Sequence, residues 1–268
     1  MNILSRTRRR FKEDGLSGLQ REAVDRLIAP IHVRWFSRDG TYLVEVNNIS
    51  VNIKNVNLPH LLKYRLKKRK QGYESAELEA ISKFLDPESD VIELGAGIGV
   101  VSCAINDKLH SDSKHVAVEP NSEILDSLRE NREINGANFD VVNSAYSAKN
   151  EEISMNIYNN YLSSGVYDKE GEDGREVTVD AVSLESLSQQ NGISEFTLIS
   201  DIEGLECELI LEEWNLVSKK CNLMIIEFHD RSPDVTAAKS RLESSKFERM
   251  YQNTNVEVWA PAGSEPDN

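Results

Sequence analysis

Asp90-Val-Ile-Glu-Leu-Gly-Ala-Gly-Ile-Gly-Val-Val-Ser102 is the stretch that decides the fold of this 268-residue chain. Its first part, Val91–Leu94, is an apolar run of strand length, and after the three glycines an apolar helix is expected over Ile98–Leu109. Glycines let the chain turn sharply and let a ligand approach the backbone closely. The N–H groups at the start of the following helix suit a polar or anionic ligand. This order predicts the ligand-binding corner of a doubly wound α/β fold.

Strand and helix patterns alternate through the rest of the chain. Strands are predicted at His115–Val118, Phe139–Asn143, Ile153–Tyr158, Val177–Val182, Phe196–Ser200, in the segment from Cys221, and in a closing hairpin, Phe247–Tyr251 with Val256–Trp259. Helices are predicted at Ser75–Leu85, Ser122–Asn131, Leu205–Leu211 and Pro233–Ser244. The alternation predicts a doubly wound, mainly parallel sheet with helices on both faces. The hairpin predicts an antiparallel edge.

The beginning of the chain reads as a separate extension over residues 1–57, followed by the main domain over 58–262 and a disordered tail over 263–268. Helices are expected within residues 1–29, and β-hairpins over 31–53. The expected strands of these hairpins are Ile31–Phe36, Thr41–Val46 and Ile49–Ile53, with a turn at Asp39-Gly40. A basic stretch, Lys63–Lys70, comes next. The basic cluster Arg6, Arg8, Arg9 and Arg10 is either a solvated tail or a peripheral contact with an anionic membrane.

Composition excludes several classes of protein. The formal net charge is −14, with 45 acidic against 31 basic residues, which argues against a general nucleic-acid binder. No apolar run reaches the roughly 18 residues that a transmembrane helix needs, and the basic N-terminus lacks the apolar stretch of a signal peptide. The three cysteines, Cys103, Cys207 and Cys221, have no paired spacing, so we expect buried, reduced thiols and a cytoplasmic location.

Two carboxylates indicate which ligand the glycine turn holds. Glu119 ends the second strand about 20 residues after the glycines, the spacing at which nucleotide-binding folds place a carboxylate on ribose hydroxyls. Glu93 precedes the turn and is expected to face the mouth of the cleft, where it would accept a hydrogen bond from an amino group. The third glycine, Gly99, falls one position earlier than in the dinucleotide fingerprint. These features favour S-adenosylmethionine over NAD.

From Gly72 to Asp230 the chain resembles the FkbM-type methyltransferases, a branch of the class I S-adenosylmethionine-dependent enzymes. The matching segments are Tyr73-Glu74, Glu93-Leu-Gly-Ala-Gly-Ile-Gly99, Val118-Glu-Pro-Asn121, Asn143-Ser-Ala145, Asp201-Ile-Glu-Gly-Leu-Glu206 and Ile226-Glu-Phe-His229. The Asp-x-Glu-Gly-x-Glu segment is the most specific of them. Family members often have a lysine just before its aspartate, where this chain has Ser200.

The resemblance implies a Rossmann-like, mainly parallel sheet of seven strands with an antiparallel edge, and a donor site. Glu93 to Gly99 would hold the methionine moiety, Glu119 the ribose, and Asn121 with Ser144 and Ala145 would lie near the adenine. The full set of expected donor-binding residues is Glu74, Glu93, Gly95, Ala96, Gly97, Gly99, Glu119, Pro120, Asn121, Ser144, Ala145 and Asp201.

Acidic residues and a histidine follow the fourth and fifth core strands, which are expected to flank the first. Asp201 and Glu203 follow one of these strands; Glu227, His229 and Asp230 follow the other. A sugar hydroxyl is a poor nucleophile, so a base near neutral pKa would help. His229 fits by its ordinary pKa, and Asp201 is the alternative base.

The same acidic residues leave a metal-dependent reaction open. Asp201, Glu203, Glu227 and Asp230 form an oxygen-rich set of the kind that suits magnesium. Acidic residues at strand ends also cap helices, however, and no metal is assigned here.

The expected function is methyl transfer from S-adenosylmethionine to oxygen. The resemblance implies a hydroxyl of a sugar, glycan or small metabolite as acceptor, and a uronic acid carboxylate is also compatible. The alternatives are an NAD-binding nucleotide-sugar oxidoreductase or epimerase and a non-catalytic binding module that has kept the fold.

Overall fold

A computed structural model describes residues 27–38, 40–68, 74–158, 165, 174–229 and 234–263. The chain forms two compact units, Met1–Gly72 and Tyr73–Asn268. The boundary between the units follows Gly72, whereas the sequence pattern placed it after residue 57. The basic cluster near the N-terminus, most of the helices expected within residues 1–29, and residues 264–268 of the predicted tail lie outside the described residues.

The N-terminal unit contains two helices and a hairpin. In chain order they are α1 (Ala29–Phe36), β1 (Leu43–Val46), β2 (Ile49–Asn52) and α2 (His60–Lys68). The hairpin turns at Asn47 and Asn48, which have φ of 46° and 71°, as a two-residue hairpin turn requires.

The prediction of a strand over Ile31–Phe36 is wrong, because this segment is helix α1. Pro30 begins the helix, where its missing N–H costs nothing. Ala29 and Val33, four residues apart, are its buried positions. A short apolar run suits either structure, and helical spacing decides here. Lys63–Lys68 of the basic stretch lies in a helix, α2, which the sequence reading did not predict.

The C-terminal unit contains the predicted α/β domain. In chain order its elements are α3 (Ser75–Phe84), β3 (Val91–Leu94), α4 (Val100–Lys108), β4 (His115–Val118), α5 (Leu125–Ile134), β5 (Asp140–Val142), β6 (Ala145–Tyr146), β7 (Glu152–Ile157), β8 (Arg175–Val182), α6 (Leu184–Gln190), β9 (Phe196–Ser200), α7 (Glu206–Glu212), α8 (Trp214–Lys220), β10 (Cys221–Glu227), α9 (Val235–Glu243), β11 (Phe247–Asn253) and β12 (Val256–Pro261). Helices α6 and α8 were not predicted.

Seven strands form the main sheet in the order β11-β12-β10-β9-β3-β4-β5. Strands β10, β9, β3, β4 and β5 are parallel to one another. Strand β12 pairs antiparallel with β10, and β11 pairs antiparallel with β12. The prediction of a mainly parallel seven-stranded sheet with an antiparallel edge is therefore confirmed. One detail differs: β9 flanks β3, but β10 pairs with β9 and does not touch the first strand.

Helices cover both faces of the sheet, so every residue of β3, β4 and β9 is buried. Alternate residues of β3 belong to two separate cores. Ile92 and Leu94 pack in a core that includes residues of helices α6 to α9 and Trp259. Val91 packs on the other face with residues of α3 and α4. The three cysteines are free and buried, as expected.

A second sheet of three strands, in the order β6-β8-β7, follows β5 in the chain. Strand β6 is parallel to β8, and β7 is antiparallel to it. The sequence predicted β7 and β8 as strands but not their separate sheet. Of the expected polar loop 159–175, residues 159–164 and 166–173 are not described. Gly165 bridges to Asn156 of β7. No helix among the described residues is long and apolar enough to cross a membrane.

Candidate active site

The glycine turn allows the end of β3 to lie in close contact with the end of β9. Gly95, Gly97 and Gly99 have φ of 92°, 55° and 85°, a backbone conformation that residues with a side chain rarely adopt. A Cβ atom on Gly95 would lie 1.8 Å from the carbonyl oxygen of Asp201. The N–H of Asp201 in turn donates to the carbonyl of Leu94, at 3.0 Å. The absence of a side chain at Gly95 therefore brings Asp201 to the turn.

Glu119 closes the other side of the turn. Its Oε2 accepts a hydrogen bond from the N–H of Gly97 at 2.8 Å, and its Oε1 accepts one from the N–H of Asn121 at 2.7 Å. Burial raises the pKa of Glu119 to about 7, although these two N–H groups lower it, and the charge of Glu93 raises it further. Each oxygen keeps a second lone pair for another donor.

A cavity opens beyond the carboxyl ends of β3, β4 and β9, where ligands bind in open α/β sheets. Ten of the residues predicted for the site line it: Glu74, Gly95, Gly97, Glu119, Pro120, Asn121, Ser144, Ala145, Asp201 and Glu203. The sequence reading missed its apolar wall, formed by Ile124, Tyr146, Ile153, Met155, Ile202 and Leu205. Five of these come from β6, β7 and the segment after β9, which meet only in the folded chain.

Glu93 does not line the cavity, so the prediction that it faces the mouth of the cleft is wrong. Its side chain is buried, and its Oε2 lies 3.0 Å from Nε2 of the buried His115 on β4. Glu93 alternates with Ile92 and Leu94 along β3 and so points to the opposite face of the sheet. Ala96 and Gly99 likewise shape the turn without lining the cavity. Tyr73, part of a matched segment, is outside the described residues.

His229 lies in a cluster of carboxylates at the ends of β9 and β10. Its Nδ1 is 3.0 Å from Oε1 of the fully buried Glu206. Its Nε2 is 3.5 Å from Oδ1 of Asp201 and 3.8 Å from carboxylate oxygens of both Glu203 and Glu227. The four residues predicted to carry the chemistry are thus brought together. Asp201 and Glu203 line the cavity, whereas His229 and Glu227 do not.

Burial lowers the pKa of His229, but the hydrogen bond and charge of Glu206, with the charges of Asp201 and Glu203, raise it to about 9. His229 is therefore protonated at neutral pH. Glu206 was missed as a site residue, although it is the last residue of the Asp201–Glu206 segment. Its Oε1 also accepts the N–H groups of Ile202 and Gly204, at 3.1 and 3.2 Å. Glu206 therefore fixes both the loop and the imidazole.

Asp201 is more basic than an ordinary aspartate. Burial raises its pKa well above the usual value, and the charges of Glu77, Glu227 and Glu203 act in the same direction, while His229 lowers it. Glu77, on α3, is buried, and its pKa is raised by burial and by neighbouring carboxylates, first among them Glu74. Nothing in the sequence distinguishes Glu77 from other glutamates in helices. Its neighbours along the chain do not show that its side chain faces carboxylates from the ends of two strands.

The fold and this site define a class I S-adenosylmethionine-dependent methyltransferase. The turn at Gly95–Gly99, a buried carboxylate with free lone pairs and an apolar wall suit the polar and adenosyl parts of that donor. The family described as methyltransferase FkbM domain matches residues 93–253, more than half of the chain. The chain therefore belongs to the FkbM methyltransferase family, and its cofactor is S-adenosylmethionine.

Solved structures of other methyltransferases are similar to this one. They include an rRNA methylase from Streptococcus thermophilus, with 13% identity, a TM-score of 0.44, and coverage of 69% of this chain and 93% of that one. A precorrin-6y C5,15-methyltransferase from Geobacter metallireducens has 15% identity, a TM-score of 0.41, and coverage of 70% and 86%. The Pyrococcus abyssi tRNA (uracil-54, C5)-methyltransferase in complex with S-adenosyl-L-homocysteine has 11% identity, a TM-score of 0.44, and coverage of 81% and 43%. No curated protein sequence matches significantly.

Proposed function

We propose that this enzyme methylates a neutral hydroxyl oxygen of a sugar, glycan or similar polyhydroxylated metabolite. Bound S-adenosylmethionine supplies an activated methyl group on a sulfonium, which is a good leaving group. The chain has to hold the donor, align the acceptor oxygen and remove its proton. The observation that supports this proposal is the position of Asp201, a basic carboxylate that lines the donor cavity at the glycine turn.

The charge of the cavity supports a neutral acceptor over a uronic acid carboxylate. Four carboxylate residues, Glu74, Glu119, Asp201 and Glu203, are among the described residues that line it, and no described lysine or arginine does. An anionic acceptor would be repelled by this set at close range. A hydroxyl group can instead donate a hydrogen bond to one of the carboxylates. The same repulsion disfavours a nucleic-acid acceptor.

Glu119 is proposed to hold the ribose of the donor. Its carboxylate lines the cavity, and the backbone N–H groups of Gly97 and Asn121 fix its orientation. The ribose hydroxyls would donate to the remaining lone pairs of its oxygens.

Asp201 is proposed as the base, with His229 as a positioning residue. A protonated imidazole has no lone pair to accept the acceptor's proton, and His229 does not line the cavity. His229 instead places a positive charge 3.5 Å from Asp201, while Glu206 holds its ring from the other side. Asp201 must be ionised to act, so turnover should rise with pH through its raised pKa.

The first experiment measures methyl transfer from labelled S-adenosylmethionine to glycan and metabolite extracts, with mass spectrometry to locate the added CH2. Asp201→Asn should lower kcat by about 10²–10⁴, the usual contribution of a positioned base. Its affinity for the donor, measured by calorimetry, should stay within about threefold, because the donor keeps its main contacts. Asp112→Asn, at an exposed site, is the matched control. Wild-type turnover in Asp201→Asn would exclude Asp201 as the base.

His229→Gln should reduce kcat less than Asp201→Asn does and should shift the pH profile, because it removes a charge next to the base without removing the base. An equal loss of kcat in His229→Gln and Asp201→Asn, with an unchanged pH profile in His229→Gln, would contradict this assignment of roles.

The reaction is proposed to be independent of metal ions. Asp201, Glu227 and His229 each place one ligand atom within 4.8 Å of the others. Magnesium prefers an all-oxygen shell, however, whereas this set includes an imidazole. Asp230, which the sequence suggested as a further oxygen donor, lies outside the described residues. Turnover should therefore survive treatment with EDTA, and its loss followed by rescue with Mg²⁺ would show the opposite.

The alternatives predict different binding. A nucleotide-sugar oxidoreductase or epimerase would bind NAD in the calorimeter in preference to S-adenosylmethionine, against the family assignment. A non-catalytic module would bind the donor, or nothing, and transfer no methyl group to any fraction of the extract.

A further inference from the structure

The two units of the chain carry opposite net charges. Met1–Gly72 contains 16 lysines and arginines against 6 aspartates and glutamates, a net charge of +10. Tyr73–Asn268 contains 15 against 39, a net charge of −24. The net charge of −14 for the whole chain is therefore the sum of a strongly basic N-terminal unit and a more strongly acidic C-terminal unit. Such asymmetry indicates a separate polyanionic partner for that unit.

Helix α1 of this unit and the two helical residues before it expose an apolar ridge, which consists of Leu27, Ile31 and Trp35. These side chains are 65%, 70% and 62% exposed. Because they are spaced four residues apart, they lie on one face of the helix. Ala29 and Val33 are the buried positions and hold α1 against its own unit. The ridge is thus the outward face of a helix that is already packed.

Basic side chains accompany the ridge. Arg34 and Arg38 are exposed on α1 and directly after it. The exposed Lys67, on α2, donates to the carbonyl of Leu43 and so stays at the surface of the unit. A helix with exposed Leu, Ile and Trp on one side and arginines beside them has the composition of a helix that lies in the plane of a membrane interface.

We propose that the N-terminal unit binds the surface of an anionic lipid bilayer, with the apolar ridge inserted at the level of the headgroups and the arginines at the phosphates. Tryptophan prefers this level because its ring is apolar and its N–H can stay wet. The proposal goes beyond methyl transfer and does not depend on the identity of the acceptor.

A bilayer fits both features of the unit better than a nucleic acid does. Phosphates of RNA or DNA would satisfy the arginines, but they would leave the aliphatic side chains of Leu27 and Ile31 in water. A second copy of the N-terminal unit would cover the ridge but would bring two charges of +10 together. A surface that is anionic and apolar below accommodates the charge and the ridge at once.

Flotation of the full chain with vesicles tests the proposal. Vesicles of phosphatidylcholine with about 30% phosphatidylglycerol should carry the protein at about 0.1 M salt, and vesicles of phosphatidylcholine alone should not. Trp35 is the only strongly exposed tryptophan of the three, so its emission should shift to the blue and be quenched by lipids brominated in the acyl chain.

Two double variants separate the apolar and the charged contributions. Ile31→Ser with Trp35→Ser should abolish quenching by brominated lipid and weaken binding at least tenfold. Arg34→Gln with Arg38→Gln should weaken binding about 25-fold, or fivefold for each charge, and should reduce its salt dependence.

Matched controls lie in the C-terminal unit. Ile134→Ser changes an exposed apolar side chain, and Arg241→Gln with Lys246→Gln removes two exposed charges. These controls should bind as the wild type does. Circular dichroism and thermal unfolding of every variant show whether the fold is kept.

Three outcomes would overturn the proposal. One is the absence of the full chain from anionic vesicles at low salt. Another is binding to a single-stranded RNA oligonucleotide that is tighter than binding to vesicles and unaffected by Ile31→Ser with Trp35→Ser, which would make the unit a nucleic-acid binder. The third is a dimer in solution that Ile31→Ser with Trp35→Ser dissociates while binding to anionic vesicles is unchanged.

Discussion

Glu119→Gln tests how strongly the fold disfavours an ionised carboxylate beneath the glycine turn. Burial raises the pKa of Glu119 to about 7 from its ordinary value of 4.5. Between these two values the folded state keeps the proton and the unfolded state does not. The free energy of unfolding therefore falls as the pH rises through this window. At about 1.4 kcal/mol per pKa unit, the loss that this one group causes is about 3 kcal/mol.

Glutamine cannot ionise, so the variant escapes that loss. It has only one acceptor oxygen for the N–H groups of Gly97 and Asn121, which should cost about 1 kcal/mol at low pH. The stability of the variant relative to the wild type should then rise by about 3 kcal/mol between about pH 4.5 and 7.5. Glu77 and Asp201, whose pKa values are also raised, are present in both proteins and cancel in the difference.

Urea unfolding, followed by tryptophan fluorescence at several pH values across this range, measures the difference directly. Glu133→Gln, at an exposed position on α5, is the control and should show no such trend. A difference in the free energy of unfolding between Glu119→Gln and the wild type that stays constant with pH would refute the argument.

The protonation of Glu119 should also change the affinity for the donor. Wild-type affinity for S-adenosylmethionine should weaken below about pH 7, because the protonated carboxyl accepts ribose hydroxyls less well, whereas the affinity of the variant should be lower and flat.

Two further perturbations test the geometry around the turn. Gly95→Ala should lower the melting temperature sharply or prevent folding, because its Cβ would lie 1.8 Å from the carbonyl oxygen of Asp201 at a φ of 92°, whereas Gly136→Ala, with φ of 62° and nothing within 4 Å, should cost about 1 kcal/mol in calorimetry. Equal losses in the two variants would show that β3 and β9 do not meet as closely as described. Glu206→Gln should lower the pKa of His229 from about 9 toward its ordinary 6.5, measured by NMR titration of the ring protons, since it removes the carboxylate charge that holds the imidazolium. If the pKa of His229 stays near 9 in this variant, Asp201 and Glu203 are the residues that stabilise the imidazolium.

The sequence by itself determined the features that depend on neighbours along the chain. The apolar run Val91–Leu94 and the glycines after it specify a strand and a sharp turn through local backbone preferences. Glu119 could be placed beside the glycine turn because parallel strands end at the same edge of the sheet. Alternating strand and helix patterns and the closing hairpin were enough to predict a mainly parallel sheet with an antiparallel edge, and the family resemblance supplied the number of seven strands.

Only the tertiary structure decided which groups meet. Ile31–Phe36 is helical because Ala29 and Val33 pack against their own unit, a contact that a short apolar run does not encode. Glu93 faces His115 instead of the cavity, because one step along a strand exchanges the faces of the sheet. His229 appeared suited to a base by its ordinary pKa. The carboxylates that make it a cation come from the segment after β9 and from α7, and charge interactions depend on distances in space, which the order of residues does not give.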